Sequence, residues 1–430
     1  MNNPFTFGNP IREPERFYGR QAELGQIVTR LLSGALESTS VIGERRSGKT
    51  SLLKYLAHEQ GASRLGLAPG RYCTVYIDFE GLTDITPARF WQRVLGLLGR
   101  SLCSPALDET IQAFRKLENY DVFDLEDVFQ AVDNLGVKVV LLMDEFEYVI
   151  QNPNFGVSFF AGLRSIAINY PLALVSATRR ELVDLCHSDE IKGSPFFNIF
   201  ATVFLRPFSP AEVQDLLDGY TGGSDMAFEP QEKGLVLRIA GGYPIFVQIA
   251  GHFLWEGKRQ GLSGQALLDY TRKNFEQQAD PHFSYLWNQC SESEKITLLA
   301  ILALGQEKPG KKSTPNLENI GRVHRRAQLD LAELCKRGLV IENEEIFALF
   351  SPSLAVWVAG EVLAAPGQEE TPASVDAWLH GGGRDSLQPV KGALPRFKKK
   401  YWPILETVLR EVSFEMIGST AFELIVKGLA

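Results

Sequence analysis

Residues 40–53 read SVIGERRSGKTSLL, and within them Gly43-Glu44-Arg45-Arg46-Ser47-Gly48-Lys49-Thr50 has a glycine, four residues, then Gly-Lys-Thr. That spacing fits a phosphate-binding loop. Gly43 and Gly48 let the backbone wrap a polyphosphate with its N–H groups turned inward, and a helix starting near Lys49 presents its positive end to the same anion. Lys49 then reaches the β- and γ-phosphates, the Thr50 hydroxyl suits Mg²⁺, and Ser51 continues the binding stretch into the helix. The context agrees: an apolar strand over 40–42 precedes the loop, and an amphipathic helix with Leu52, Leu53 and Leu56 follows it.

Downstream, a strand is expected at 72–79 and a helix from Thr86-Pro87, with a second helix over 125–135. Residues 137–143 (VKVVLLM) form the mostly apolar run of a parallel strand buried on both faces, and it ends in Asp144-Glu145. Open α/β sheets place ligands at such strand ends. Asp144 therefore suits the Mg²⁺ shell, and Glu145 suits the orientation or deprotonation of an attacking water. A fourth strand over 172–176 runs into Ala177-Thr178-Arg179-Arg180, whose cationic groups are placed to meet a γ-phosphate, although Arg180 also reads as a solvated helix-start residue. A fifth strand over 201–206 precedes Ser209 and Glu212, a capping box for the next helix. Strands alternating with helices in this order predict an α/β fold: a parallel five-stranded P-loop NTPase sheet over residues 1–208.

Residues 209–285 read as a helical lid, in which Gly241-Gly242-Tyr243-Pro244 separates two apolar helices. Over 286–363, helices at 317–321 and 327–337 follow one capped by Ser291 or Ser293. Strands at 338–341 and 346–350 then pair across Asn343-Glu344-Glu345, which gives a winged-helix domain. Residues 364–390 read as a linker and 391–430 as a small helical C-terminal region. There Lys391, Arg396, Lys398, Lys399 and Lys400 are interleaved with Phe397, Tyr401 and Trp402, which reads either as a solvated approach to the helices or as a contact for nucleic acid, an acidic lipid surface or, above these, a protein partner. The proline-rich first residues are expected to lie extended on the surface.

The 430-residue chain has 45% hydrophobic and 22% charged residues, the proportions of an ordinary globular protein. A net charge of -8 argues against a chain-wide grip on nucleic acid. Residues 291–363 balance nine Lys/Arg against ten Asp/Glu, the basic residues cluster only at Lys311, Lys312, Arg322, Arg325 and Arg326, and the expected recognition helix carries Asp330 and Glu333. DNA binding is therefore possible but not favoured. The first 20 residues lack a signal-peptide pattern, no apolar run spans a bilayer, and the five scattered cysteines read as reduced thiols, so a cytoplasmic location is expected.

In order, FYGRQAEL, GERRSGKT, VVLLMDE, SATRR, GGYP and LVIENEEIFALFSPSLAVWV resemble the STAND class of AAA-related P-loop ATPases, above all its bacterial and archaeal members, over residues 1–363. The resemblance implies a molecular switch that binds and hydrolyses ATP with Mg²⁺, the nucleotide held between the α/β domain and the lid. Arg20 and Glu23 would lie near the base, Pro244 would pack at the adenine, and Arg179 would be the sensor. Exchange or hydrolysis would reorient the winged helix and permit homo-oligomerisation, in signalling or defence. The chain departs from the class in showing no effector domain, no repeat sensor and no clear winged-helix histidine. The archaeal origin-recognition proteins share the same order of parts and give a DNA-binding alternative, and an ATP-gated scaffold with negligible turnover is a third reading.

Overall fold

The computed structural model describes residues 2–117, 120–306, 314–323 and 325–364. Expectations for 364–390 and 391–430, and those for Lys311 and Lys312, fall outside the described residues, apart from Ala364, the last residue of a helix. The described chain divides into two compact units, one formed by residues 9–205 and the other by residues 2–8 together with those from 206 onward.

The first unit is built on five parallel strands: β1 (Ser38–Ile42), β2 (Tyr72–Asp78), β3 (Lys138–Asp144), β4 (Leu172–Thr178) and β5 (Phe200–Phe204). Their spatial order is β2-β3-β4-β1-β5. Every residue of β1 and β4 is buried, which is why these runs lack the alternation of a half-exposed strand. One face carries an aromatic-rich core with Phe79, Phe90, Trp91, Phe129, Phe155 and Phe160. The other carries Leu24, Ile27, Leu52, Leu53 and Leu56 against Val140, Leu142 and Val175. Thr86 caps the helix Pro87–Leu102 as its sequence suggests. The helix Pro105–Arg115 was not expected, because Ser104 ahead of it makes no side-chain cap bond and its apolar face is short.

This order decides where a ligand can lie. Chain order reverses beside β1, and in open α/β sheets such a reversal leaves a crevice outside the carboxyl ends of the strands. Those ends of β1, β4 and β3 are neighbours, with Ile42 opposite Thr178 and Met143 opposite Ser176.

In the second unit the helices Pro210–Thr221, Pro230–Ala240 and Pro244–Arg259 each open on a proline, whose missing N–H costs nothing at that position. Ser209 and Glu212 make the expected capping box. Gly241 and Gly242 have φ of 58° and 79°, and a Cβ on Gly242 would stand 2.2 Å from the Phe208 carbonyl oxygen. Only glycine fits there. Tyr243 donates to the Arg337 carbonyl at 2.7 Å. The Gly-Gly-Tyr stretch is thus a packing joint.

The N-terminal residues run without regular structure along the surface, with Thr6 and Gly8 exposed, but one ring anchors them. Phe5 is buried against Tyr220 and Phe228, and a Cβ on Gly251 would come 2.4 Å from its ring. Asn3 donates to the His252 carbonyl and to Glu256, and the Thr6 N–H donates to Gln248. Their local composition gave no sign of a pocket assembled from residues so far along the chain.

The helices Glu292–Gln306, Leu317–Val323 and Ala327–Lys336 precede an antiparallel hairpin of β6 (Val340–Asn343) and β7 (Ile346–Leu349), and a helix Pro352–Ala364 follows. The hairpin loop is Glu344-Glu345, with φ of 49° and 64°, two left-handed residues where Asn-Gly is preferred. Replacing the pair by Asn-Gly is expected to stabilise the hairpin by about 1 kcal/mol, read as a higher melting temperature of the whole chain. Asp330 corrects an expectation: it is turned inward, accepting from Ser293 and Thr297, and so places no negative charge on the exposed face of its helix.

No disulfide joins the five cysteines. Among the described residues, no helix is long and apolar enough to cross a membrane.

Candidate functional site

The loop 43–48 leaves β1 directly: the Gly43 N–H donates to the Thr178 carbonyl at 3.1 Å, which ties the loop to β4. A Cβ on Gly43 would stand 2.5 Å from Ser47 Oγ, so the turn closes only over glycine. Gly48, with φ of 98°, caps the helix Lys49–Ala57. Arg46 also has a left-handed backbone, with φ of 67°, at a position where glycine would be unstrained. Arg45 and Arg46 are exposed, whereas Glu44, Ser47 and Lys49 are buried.

Lys49 Nζ donates to the carbonyls of Gly43 and Glu44 at 2.8 and 3.3 Å. Glu44 lies 3.8 Å from Arg180. Arg20, itself left-handed and 3% exposed, donates to the Ser47 carbonyl at 2.9 Å and pairs with Glu23 at 2.7 Å. It therefore braces the loop from behind, a contact that the FYGRQAEL stretch alone does not reveal. Ser51 Oγ accepts from the Ile11 N–H at 3.0 Å, so its hydroxyl anchors the incoming chain.

At the end of β3, Asp144 is 1% exposed and accepts from Tyr76 Oη at 2.9 Å. Burial raises its carboxyl above the usual range, while hydrogen bonds from Thr50 and Tyr76 pull it back. Tyr76 on β2 was not singled out in the sequence. The paired strands set it beside Asp144, and no local pattern encodes that pairing. The Thr50 hydroxyl and the Asp144 carboxylate, already hydrogen-bonded, are a hard-oxygen donor set of the kind Mg²⁺ takes when phosphates and water complete its shell. Ser47 Oγ is buried at the loop without a partner among the described residues, as a group meant for a ligand would be.

Glu145 has a backbone φ of 51°, strained for a non-glycine residue. Burial, then the charge of Glu147, push its carboxyl up to about 7 despite the pull of Lys49. A carboxyl raised in this way binds more protons in the folded chain than in the unfolded one, between its ordinary 4.5 and about 7. Stability contributed by this group therefore falls as pH rises through that window. Without nucleotide or Mg²⁺, Glu145→Gln is expected to raise the melting temperature at pH 8 on the order of 2 °C, and by less at pH 5. Equal increments at both pH values would contradict the raised carboxyl.

Arg179, at the end of β4, donates from Nε to Glu147 at 2.8 Å. Glu147 lies two residues beyond the expected acidic pair Asp144-Glu145, and the alternation Asp-Glu-Phe-Glu around the buried Phe146 is its signal in the sequence. Lys49, Thr50, Asp144, Glu145 and Arg179 all belong to the first unit, at the carboxyl ends of β1, β3 and β4. Pro244 belongs to the second unit, as the half-buried first residue of its helix. Loop amides, a buried lysine, a hydroxyl–carboxylate pair and a second, partly accessible carboxylate can bind a nucleoside polyphosphate and activate water beside it.

The sequence family described as Novel STAND NTPase 2 matches residues 33–306. Among solved structures, the Walker-type ATPase PABY2304 of Pyrococcus abyssi is similar at a TM-score of 0.53 and 16% identity, over 82% of this chain and 98% of that one. The ORC2 protein of Aeropyrum pernix, solved as ADPNP-ADP complexes, matches at a TM-score of 0.49 and 17% identity, over 84% and 98%. The first likeness shows a shared fold. No curated protein matches the chain.

Proposed function

This chain belongs to the Novel STAND NTPase 2 family, a group of P-loop ATPases, and we propose that it is a slow ATP-hydrolysing switch whose nucleotide state governs self-association. One observation carries the reading. Neighbouring strand ends present the phosphate loop, the Thr50–Asp144 pair and Glu145 together. In this reading the loop amides from Gly43 to Ser51 and Lys49 hold the phosphates, and Arg20 keeps the loop in shape through Ser47. Thr50 and Asp144 would hold Mg²⁺, which when bound supplies positive charge against the β- and γ-phosphates. Glu145 orients the attacking water and accepts its proton, and Arg179 meets the γ-phosphate. Residues 286–363 serve as a winged-helix module, and the C-terminal region serves protein partners in signalling or defence.

The buried Asp330 keeps a second reading open. With that acid turned inward, the outer face of Ala327–Lys336 shows Gln328, Leu329, Ala332 and Lys336 beside a half-buried Glu333, and Arg325 and Arg326 lie just before it, Arg326 within 4.0 Å of Asp330. A DNA-binding ATPase would use such a face. The deciding experiment measures turnover and mass in solution on one sample, with ATP, with ADP, and with ATP plus duplex DNA. The switch predicts ATP-dependent assembly indifferent to DNA. DNA-stimulated turnover would move the second reading to first place, and assembly without turnover would leave an ATP-gated scaffold.

A further inference from the structure

Glu147 has no place in the reading above, yet it is among the most buried charged groups of the first unit, at 1% exposure. It opens the short helix Glu147–Ile150, one residue after the Phe146 N–H donates to the Ala177 carbonyl on β4 at 3.1 Å. That bond and the left-handed Glu145 before it fix the turn, so the Glu147 carboxylate projects from a rigid point toward the end of the neighbouring strand. There Arg179 Nε meets it at 2.8 Å.

The pair is asymmetric: the acid is enclosed, while the arginine side chain is 36% exposed. A carboxylate is costly to enclose, and one that served only as a counter-ion would lie as well at the surface. The contact is also made through Nε, the guanidinium nitrogen nearest the backbone. Fixing Nε removes most of the rotational freedom of a long side chain and sets the plane in which its terminal nitrogens lie.

We propose that Glu147 is a positioning residue that holds Arg179 by Nε and aims its terminal nitrogens at the γ-phosphate, so that the pair sets the preference of the site for ATP over ADP. The inference rests on the reading of this crevice as an ATP site with Arg179 as its sensor. ADP lacks the phosphate that Arg179 would meet, so losing the aim weakens ATP binding and leaves ADP binding nearly as it was.

The test is calorimetric titration with ATP and with ADP, each with Mg²⁺, for the full chain and for Arg179→Ala, Arg179→Lys, Glu147→Ala, Glu147→Gln and the double alanine variant. Arg179→Ala and Glu147→Ala are each expected to reduce the ATP-over-ADP preference about tenfold, the scale of one charge-assisted hydrogen bond. The double variant should be no worse than Arg179→Ala alone, since both act through one group. Glu147→Gln keeps an acceptor oxygen for Nε and should restore most of the preference. Arg179→Lys keeps the charge without Nε and should not. Arg179 lies partly exposed, so its variants are read even where Glu147→Ala fails to fold. Additive losses, or an unchanged preference in both Glu147 variants beside a reduced one in Arg179→Ala, would overturn the proposal. An unchanged preference in Arg179→Ala would overturn it together with the sensor assignment. Lys49→Ala, run in parallel, reports separately on the phosphate site.

Discussion

Lys49→Ala is expected to weaken ATP binding by about 100-fold, the loss that follows when a charge-assisted contact to a polyphosphate is removed from a water-poor site. Lys49 is 4% exposed, and its ammonium is held by the Gly43 and Glu44 carbonyls within the loop. A cation stored at the site in this way changes partners without a large rearrangement when phosphate arrives. Calorimetric titration with ATP and with ADP measures the loss, and it should be large for both, because both nucleotides carry the β-phosphate that Lys49 reaches. The fold should survive: the substitution removes two hydrogen bonds, and the Gly43 N–H to Thr178 bond that ties the loop to the sheet stays intact. Undiminished affinity in a folded variant would remove the loop 43–50 from consideration as the nucleotide site.

Glu145→Gln should lower the turnover number by about 10²- to 10³-fold, within the range assigned to general-base catalysis, with ATP affinity nearly unchanged. Glutamine keeps the shape and one acceptor oxygen but cannot take a proton. Single-turnover hydrolysis beside a binding titration separates the two quantities, and a fall in both together would point to a damaged loop instead. The alternative base is Glu147, two residues on. It is fully enclosed, with Oε1 held by Arg179, whereas Glu145 is partly accessible, so turnover surviving Glu145→Gln would be the sign that this assignment is reversed.

The sequence made the phosphate loop and the acid-tipped third strand legible because both are local: glycine spacing, a continuous apolar run and a capping residue are readable within a dozen positions. The capping box at Ser209 and the proline-led helices of the second unit were open to the same reading. Tyr76 and Glu147 are not legible in the sequence, and Arg20 reads there as a neighbour of the base and not as a brace of the loop, since each acts through a partner that strand pairing or loop closure brings to it: Asp144, Arg179 and the Ser47 carbonyl. Asp330 shows a subtler limit. An acid on an amphipathic helix reads as solvated, and only the hydroxyls of Ser293 and Thr297 on another helix make an inward position affordable. Gly241-Gly242 was noticed as a helix interruption, but its reason, contact with the Phe208 and Phe350 carbonyls, lies in tertiary packing.

The seat of Phe5 has a consequence for the order of events during synthesis. Asn3 and the His252 it binds are 249 positions apart. At about 5–20 residues per second, a ribosome needs roughly 10–50 s to supply that partner. Within that time residues 9–205 can emerge and complete their sheet, while an apolar ring waits ahead of them on a nascent chain. Residues 2–8 thus complete a unit whose other parts follow residues 9–205 in the chain, and its closure is timed by translation and not by the folding of the sheet.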